Sequence, residues 1–394
     1  MGNLATLRNL TVRTAISATL AGARGARRSF MNVVATRSLM TSRSLLEKQQ
    51  DLRGRVAGTY YFTSEKGLYR IDPDGIWKVL DVPCYGIALR DHWVFLSVKW
   101  PHLRGRSSVI RGERRSLAEP GRSLAFRELY HITTSSSNDR IHGIFLGETG
   151  LWVANTGRNT LLRIDPETGQ VSAEIPPILD KFGWPVLFDQ NHINSVAEYN
   201  GTVLFVAYRI GRQSMIGVYD GSRVTGYGYP NVGAHDIFLR ADDFLLCDTF
   251  GPGLSTHDGR SVRDGIGLDP APDTGGFLIT RNGAFDPDYF ERSPGFVLRG
   301  LAGSYDELLI GHSHKGPRRK RYKGHGAILV SRHGKVVDKI DVEPSQIYQI
   351  ITEAGDFVSP APTSIESSDL HSRFADAFGE PIYQAEVAPL PQGA

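Results

Sequence analysis

The chain has 394 residues, with 40% hydrophobic residues, 22% charged residues and 43 glycines, a globular and turn-rich composition that excludes a disordered chain or a coiled coil. A formal net charge of +3 gives no global electrostatic reason to expect nucleic acid as a partner. Two cysteines, Cys84 and Cys247, stand far apart and form no CxxC pair, which excludes a disulfide framework and a zinc finger and leaves two thiols that read as small buried hydrophobes.

Residues 1–50 read as a separate targeting or disordered segment. Seven arginines (Arg8, Arg13, Arg24, Arg27, Arg28, Arg37 and Arg43) precede the first acidic residue, Glu47, among many Ser, Thr and Ala. A basic, acid-poor stretch of this kind predicts a mitochondrial transit peptide if the chain is eukaryotic. One rival is an export signal on "ARRSFM" at 26–31, whose hydrophobic stretch Arg37 interrupts. The other is a bacterial cytoplasmic chain with an over-long start, Met31 or Met40 being the true first residue. No stretch reaches the roughly 18 apolar residues of a spanning helix, so no membrane span is expected.

From about residue 56 short apolar runs alternate with turn signals such as "DPDG" at 72–75 and "DPETGQ" at 165–170, and this texture predicts strands. Three strands come first: "TYYFTS" 59–64, "GLYRID" 67–72 and "IWKVLD" 76–81. One unit then recurs: a polar or aromatic residue, a small or polar residue, and an apolar strand. It appears as "YGIAL" from Tyr85, "HGIFL" from His142, "NSVA" from Asn194, "HDIFL" from His235, "RGLAG" from Arg299 and "YQII" from Tyr348. A second strand follows each of the first five, as in "LWVAN" 151–155, and "TLLRID" 160–165 and "QVSAEI" 170–175 supply a third and a fourth in the cleanest unit. Four strands recurring at this spacing are the signature of propeller blades. The reading is therefore all-β, a six-bladed β-propeller over 56–355, with a β-sandwich of irregular repeats as the alternative. The three N-terminal strands and the last unit would close the ring in one shared blade, which removes free sheet edges. A Pro- and Ser-rich tail, 356–394, is left over.

In a propeller the start of the first strand and the end of the second lie on one rim. That rim collects Tyr85, His142, Asn194, His235, Arg299 and Tyr348 from the first strands. Asn155, Tyr208, Asp248 and His312 come from the second, and His192 stands two residues before Asn194. Neutral imidazoles on a rigid scaffold suit Zn, Mn or Fe, and amide or carboxylate oxygens suit Ca. His142, His192, Asn194, His235 and His312 are thus the candidate ligands of a divalent metal. The long loops, 99–105, 176–191, 227–234, 264–297 and 313–325, belong to the same face, where a binding site is expected. One of them, "HSHKGPRRKRYKGHG", offers Arg318, Arg319 and Arg321 to an anionic ligand, because guanidinium forks match carboxylate or phosphate.

The blade pattern, with "NHINSV", "AHDIFL" and "VLRGLAG…LLIGHS", resembles an uncharacterised bacterial family of six-bladed propellers. More distantly it resembles the NHL and SMP-30/gluconolactonase superfamily, over roughly residues 57–352. That resemblance implies a metal at the channel mouth held by Glu, Asn and Asp. Asn194 would be the Asn ligand and Asp236 or Asp248 the Asp ligand. No Glu leads a blade here, which shifts the implied site toward the His-rich metal centres of propeller lyases acting on uronates. Three functions follow as expectations. The first is a metal-dependent hydrolase of a lactone, ester or anionic sugar derivative, with Asp248 or a histidine as base. The second is an oligouronide lyase, in which Arg299 and the metal neutralise the carboxylate while a histidine or Tyr208 takes the α-proton. The third is a non-catalytic propeller that binds a glycan or a protein. Tyr85 and Tyr348 complete the candidate catalytic set, and Asn155 and Asp236 the substrate-binding set. The expected partner is a small molecule or carbohydrate.

Overall fold

The computed structural model describes residues 40–43, 51–100, 106–118, 123–133, 141–179, 182, 191–208, 214–229, 234–240, 243–248, 253–256, 296–304, 306–314, 321–333, 335–355, 367–387 and 389. Its strands form antiparallel meanders in a propeller arrangement. Sheet I runs Cys84–Arg90, Trp93–Lys99, Arg106–Glu113 and Ser123–Thr133. Sheet II runs Ile144–Leu146, Leu151–Asn155, Thr160–Ile164 and Val171–Ile175. Sheet III runs Ile193–Tyr199, Thr202–Ala207, Met215–Tyr219 and Arg223–Gly228. Sheet IV has Ala234–Arg240, Asp243–Asp248 and Gly253–Thr256. Sheet V has Phe296–Gly303, Leu308–His314, Gly326–Arg332 and Lys335–Val342. Sheet VI joins Ile347–Thr352 to Tyr60–Ser64, Gly67–Asp72 and Gly75–Leu80, with Tyr60 opposite Thr352 and Phe62 opposite Ile350.

The sequence reading expects six four-stranded blades, and five complete ones are described. Sheet IV carries three described strands, and the segment 257–295 that follows it lies outside the described residues. Both chain ends do something the composition does not announce. Met40–Arg43 pairs with the outer strand of sheet I, so part of the supposed leader is an edge strand. In the supposed tail, helix Ser367–Phe378 buries Leu370 and Phe374 beside Tyr227 and Tyr229, and Tyr383–Glu386 pairs with Arg223–Gly226 on the outer edge of sheet III. A paired edge presents no row of open N–H and C=O groups.

The core lies between neighbouring sheets. Period-2 alternation sends Leu151, Val153, Leu162 and Ile164 toward sheet I, and Trp152, Ala154, Leu161 and Ile175 toward sheet III. Each inner sheet is therefore apolar on both faces. That explains why the sequence shows near-continuous apolar runs rather than clean alternation. No described helix is long and apolar enough to cross a membrane.

Candidate functional site

Each innermost strand breaks its register at the first or second residue of the repeated unit. In sheet I, Cys84 faces Val98 and Gly86 faces Ser97, so Tyr85 is the extra residue. Asn194 is skipped in the same way in sheet III, Asp236 in sheet IV, Arg299 with Gly300 in sheet V, and Tyr348 in sheet VI. In sheet II, Ala154 serves two residues, accepting from His142 N–H at 3.0 Å and donating to the Gly143 carbonyl at 2.9 Å. A β-bulge places two residues against one and re-aims a side chain. The repeat seen in the sequence is therefore a series of bulges, one at the start of each innermost strand.

The bulges are tied to one another. Ser97 Oγ donates to the His142 carbonyl (2.9 Å), and Gly143 N–H donates to the Asn194 carbonyl (3.1 Å). Asn194 Nδ2 donates to the Ala234 carbonyl (3.0 Å), and Gly300 N–H to Asp236 Oδ2 (2.8 Å). Ile347 N–H donates to Ser313 Oγ (2.8 Å), and Ile87 N–H to Gln349 Oε1 (2.9 Å). Glycine at the second unit position is a packing demand. A Cβ on Gly86 would stand 2.8 Å from the His142 carbonyl oxygen and 2.9 Å from Gln349 Oε1.

The side chains aimed by these bulges form an arc of ring contacts. Tyr348 stacks on Tyr85 at 4.5 Å between centroids, and Tyr85 meets His142 at 5.5 Å. His142 meets His192 edge-on at 5.0 Å, and His192 meets Tyr208 at 5.6 Å and His235 at 6.3 Å. Tyr208 and His235 are 5.6 Å apart. Tyr85, His142, Asn194, His235 and Tyr348 are buried, whereas His192, Tyr208 and Arg299 are partly exposed. His192 holds φ at +47°, in the left-handed region where non-glycine residues are uncommon and often functional.

Thr156 was not singled out from the sequence, yet it orients His142. Its Oγ1 lies 2.6 Å from His142 Nδ1 and within reach of the Ile193 and Ala154 carbonyls. With the hydroxyl donating to a carbonyl, Nδ1–H would donate to Oγ1 and the lone pair of the neutral ring would sit on Nε2. A Thr one residue beyond the end of a second strand was the available signal.

Two other groups are electrostatically distinctive. Burial raises the Asp236 carboxyl to about 6, against the opposing pull of the Gly300 N–H and Arg299. Asp236 also holds φ at +50°. Burial, with Lys339 nearby, lowers His312 to about 3, so that imidazole is neutral at physiological pH. His312 is 3% exposed. Asn155 is fully buried and turns its Nδ2 to Thr160 Oγ1 within its own sheet (3.0 Å) rather than to the mouth. Asp248 pairs with Ala234 through the backbone, and its side chain lies outside the described residues. Arg318 and Arg319 lie outside them entirely, as do the Arg321 side chain and most of the long loops.

Among the described residues no group of three or more His, Cys, Asp or Glu side chains is placed to hold an ion. His142, His192 and His235 meet edge to face, and His142 Nδ1 contacts Thr156 Oγ1.

No protein-family model matches the chain, and no curated protein matches its sequence. Solved structures match its shape at low identity. One, a nidogen/laminin complex, shares 9% identity, with 76% of this chain and 100% of that chain covered at a TM-score of 0.43. A putative oxidoreductase (glucose dehydrogenase) from Thermus thermophilus shares 14%, covering 70% and 94% at 0.41. AztD from Citrobacter koseri shares 10%, covering 75% and 98% at 0.33. With every score below 0.5, the activities and partners of those proteins are not carried to this chain.

Proposed function

We propose that the chain is a six-bladed propeller whose mouth binds a small ester or lactone, such as a sugar lactone, and hydrolyses it by imidazole base catalysis. Sheet IV is then the sixth blade, and the pairing of Tyr60–Ser64 with Ile347–Thr352 closes the ring. The inter-sheet bonds that lead from Ser97 round to Gln349 support that count.

The observation that carries the activity is the contact of Thr156 Oγ1 with His142 Nδ1. With Nδ1–H donating to that oxygen, Nε2 would be the basic nitrogen at a rim that also carries His192 and Tyr85. Water would lose a proton to Nε2 as its oxygen adds to the ester or lactone carbonyl. The same proton would return to the departing alkoxide as the acyl C–O bond breaks, leaving acid and alcohol. Arg299, partly exposed at the same rim, would orient an acidic substituent. The burial of most arc residues favours a second reading, a mouth that binds without turnover.

The test is hydrolysis of sugar lactones and aryl esters by wild-type protein and by His142→Gln and Thr156→Val, with and without a chelator. This reading expects kcat/KM to fall at least about 100-fold in His142→Gln, the usual scale for loss of a general base. Thr156→Val should shift the pH profile, and the chelator should have no effect. Binding without hydrolysis would select the second reading, and chelator-sensitive hydrolysis with stoichiometric metal would overturn the metal-free step.

A further inference from the structure

A second cleft, of about 560 Å³, opens on the face opposite the mouth. It lies where the turn at Asp91–His92 and the short helix Arg114–Leu117 of sheet I meet the end of sheet VI at Glu353. The reading of the mouth does not use it.

Tyr61 lines this cleft. Its side chain is 1% exposed, and its hydroxyl makes no hydrogen bond to any described residue. Burial raises the phenol above its ordinary value, so it is a neutral donor at physiological pH. The hydroxyl reaches the cleft, where a ligand oxygen can accept its proton.

The charges around it are unusually uncommitted. Arg115 is paired with Glu113 at 2.7 Å. Among the described residues the Arg114 guanidinium donates to the backbone carbonyls of Asp91 and Glu353, and no carboxylate pairs with it. The Asp91 and Glu353 carboxylates form no ion pair or hydrogen bond among the described residues. Besides the Glu113–Arg115 pair, one cation and two anions therefore line the same cleft, with no ion pair between them among the described residues. A simple anion would meet Asp91 and Glu353, and a simple cation would meet Arg114.

We propose that this cleft binds a small zwitterion of the amino-acid type. The carboxylate would lie on Arg114 and the Tyr61 hydroxyl, and the ammonium group on Asp91 and Glu353. Guanidinium–carboxylate bonds and charged hydrogen bonds to a phenol are strong enough to select for both ends at once. The cleft has room for one residue or a dipeptide.

The experiment is calorimetric titration of the full chain with each of the twenty L-amino acids and glycylglycine. At least one probe should bind saturably with a Kd in the millimolar range or below. N-acetylation or C-amidation of that probe should each weaken binding about tenfold or more, as should Tyr61→Phe and Arg114→Gln. Tyr61→Phe removes one oxygen and keeps the packed ring, so its fold is checked by its unfolding midpoint. Hydrolysis at the mouth should be unchanged in both variants, which separates this proposal from the previous one. The absence of saturable binding by any probe up to about 10 mM would overturn it. Equal binding of blocked and unblocked probes would do the same, as would binding indifferent to both substitutions.

Discussion

Asp236 makes the inter-sheet bonding quantitative. Its carboxyl is held at about 6, against 3.8 for the unfolded group. Between those values the folded protein keeps a proton that the unfolded chain has released, so stability falls as pH rises through that window. Above pH 6 the full cost of ionising a buried carboxyl is present, about 3 kcal/mol. Asp236→Asn removes the charge, keeps an oxygen to accept the Gly300 N–H, and suits the left-handed backbone that Asp236 already adopts. The variant should match wild type near pH 3.5 and exceed it by about 1–3 kcal/mol at pH 7.5. Urea unfolding of both proteins at pH 3.5, 5.0, 6.0 and 7.5 measures the gap directly. A gap that stays constant with pH, or a variant less stable at pH 7.5, would refute the claim that Asp236 is strained by its own charge.

Three further outcomes follow from the packing and electrostatics. Burial holds His312 at about 3, below its ordinary 6.5, so its contribution is complete above pH 6.5 and is lost as pH falls toward 3. His312→Gln should therefore flatten the acid side of the stability profile, read from unfolding midpoints between pH 4 and 7. Gly86→Ala should cost about 1–3 kcal/mol, because its Cβ would press on the His142 carbonyl and Gln349, as overpacked sites do; an unchanged melting temperature would contradict the tight axial packing. Glu307, 7% exposed, accepts from Ala57 N–H, Gly58 N–H, the Tyr60 hydroxyl and Arg332. Glu307→Ala should cost about 3–5 kcal/mol by leaving those donors unpaired and should open the chain near residue 57 to limited proteolysis.

The strands were legible because their apolar runs and turn signals are local. The runs "TLLRID" and "QVSAEI" correspond to strands Thr160–Ile164 and Val171–Ile175. The arc of rings was legible for a related reason: one polar or aromatic residue recurs before each apolar run, and four such residues, Tyr85, His142, His235 and Tyr348, come together with Tyr208 and His192. The bulges were not legible, because a bulge is a property of pairing with a partner strand. The same limit hid Thr156, whose role depends on His142 fourteen residues away. The tail helix was missed because Pro and Ser at 359–368 mask Leu370 and Phe374, whose apolar face needs sheet III to become visible.

The pairing of Tyr60–Ser64 with Ile347–Thr352 has a consequence for how the chain is made. Thr63 and Gln349 bond across 286 positions, so the first three strands leave the ribosome long before their fourth exists. At roughly 5–20 residues per second they wait on the order of 15–60 seconds with an open inner edge. Sheets II and III can complete their own meanders from local segments in that interval, apart from the edge strand that the tail adds. Sheet VI therefore forms late although three of its strands lie within residues 60–80, and a nascent chain stalled before residue 347 should expose the Tyr60–Ser64 strand to chaperones and proteases.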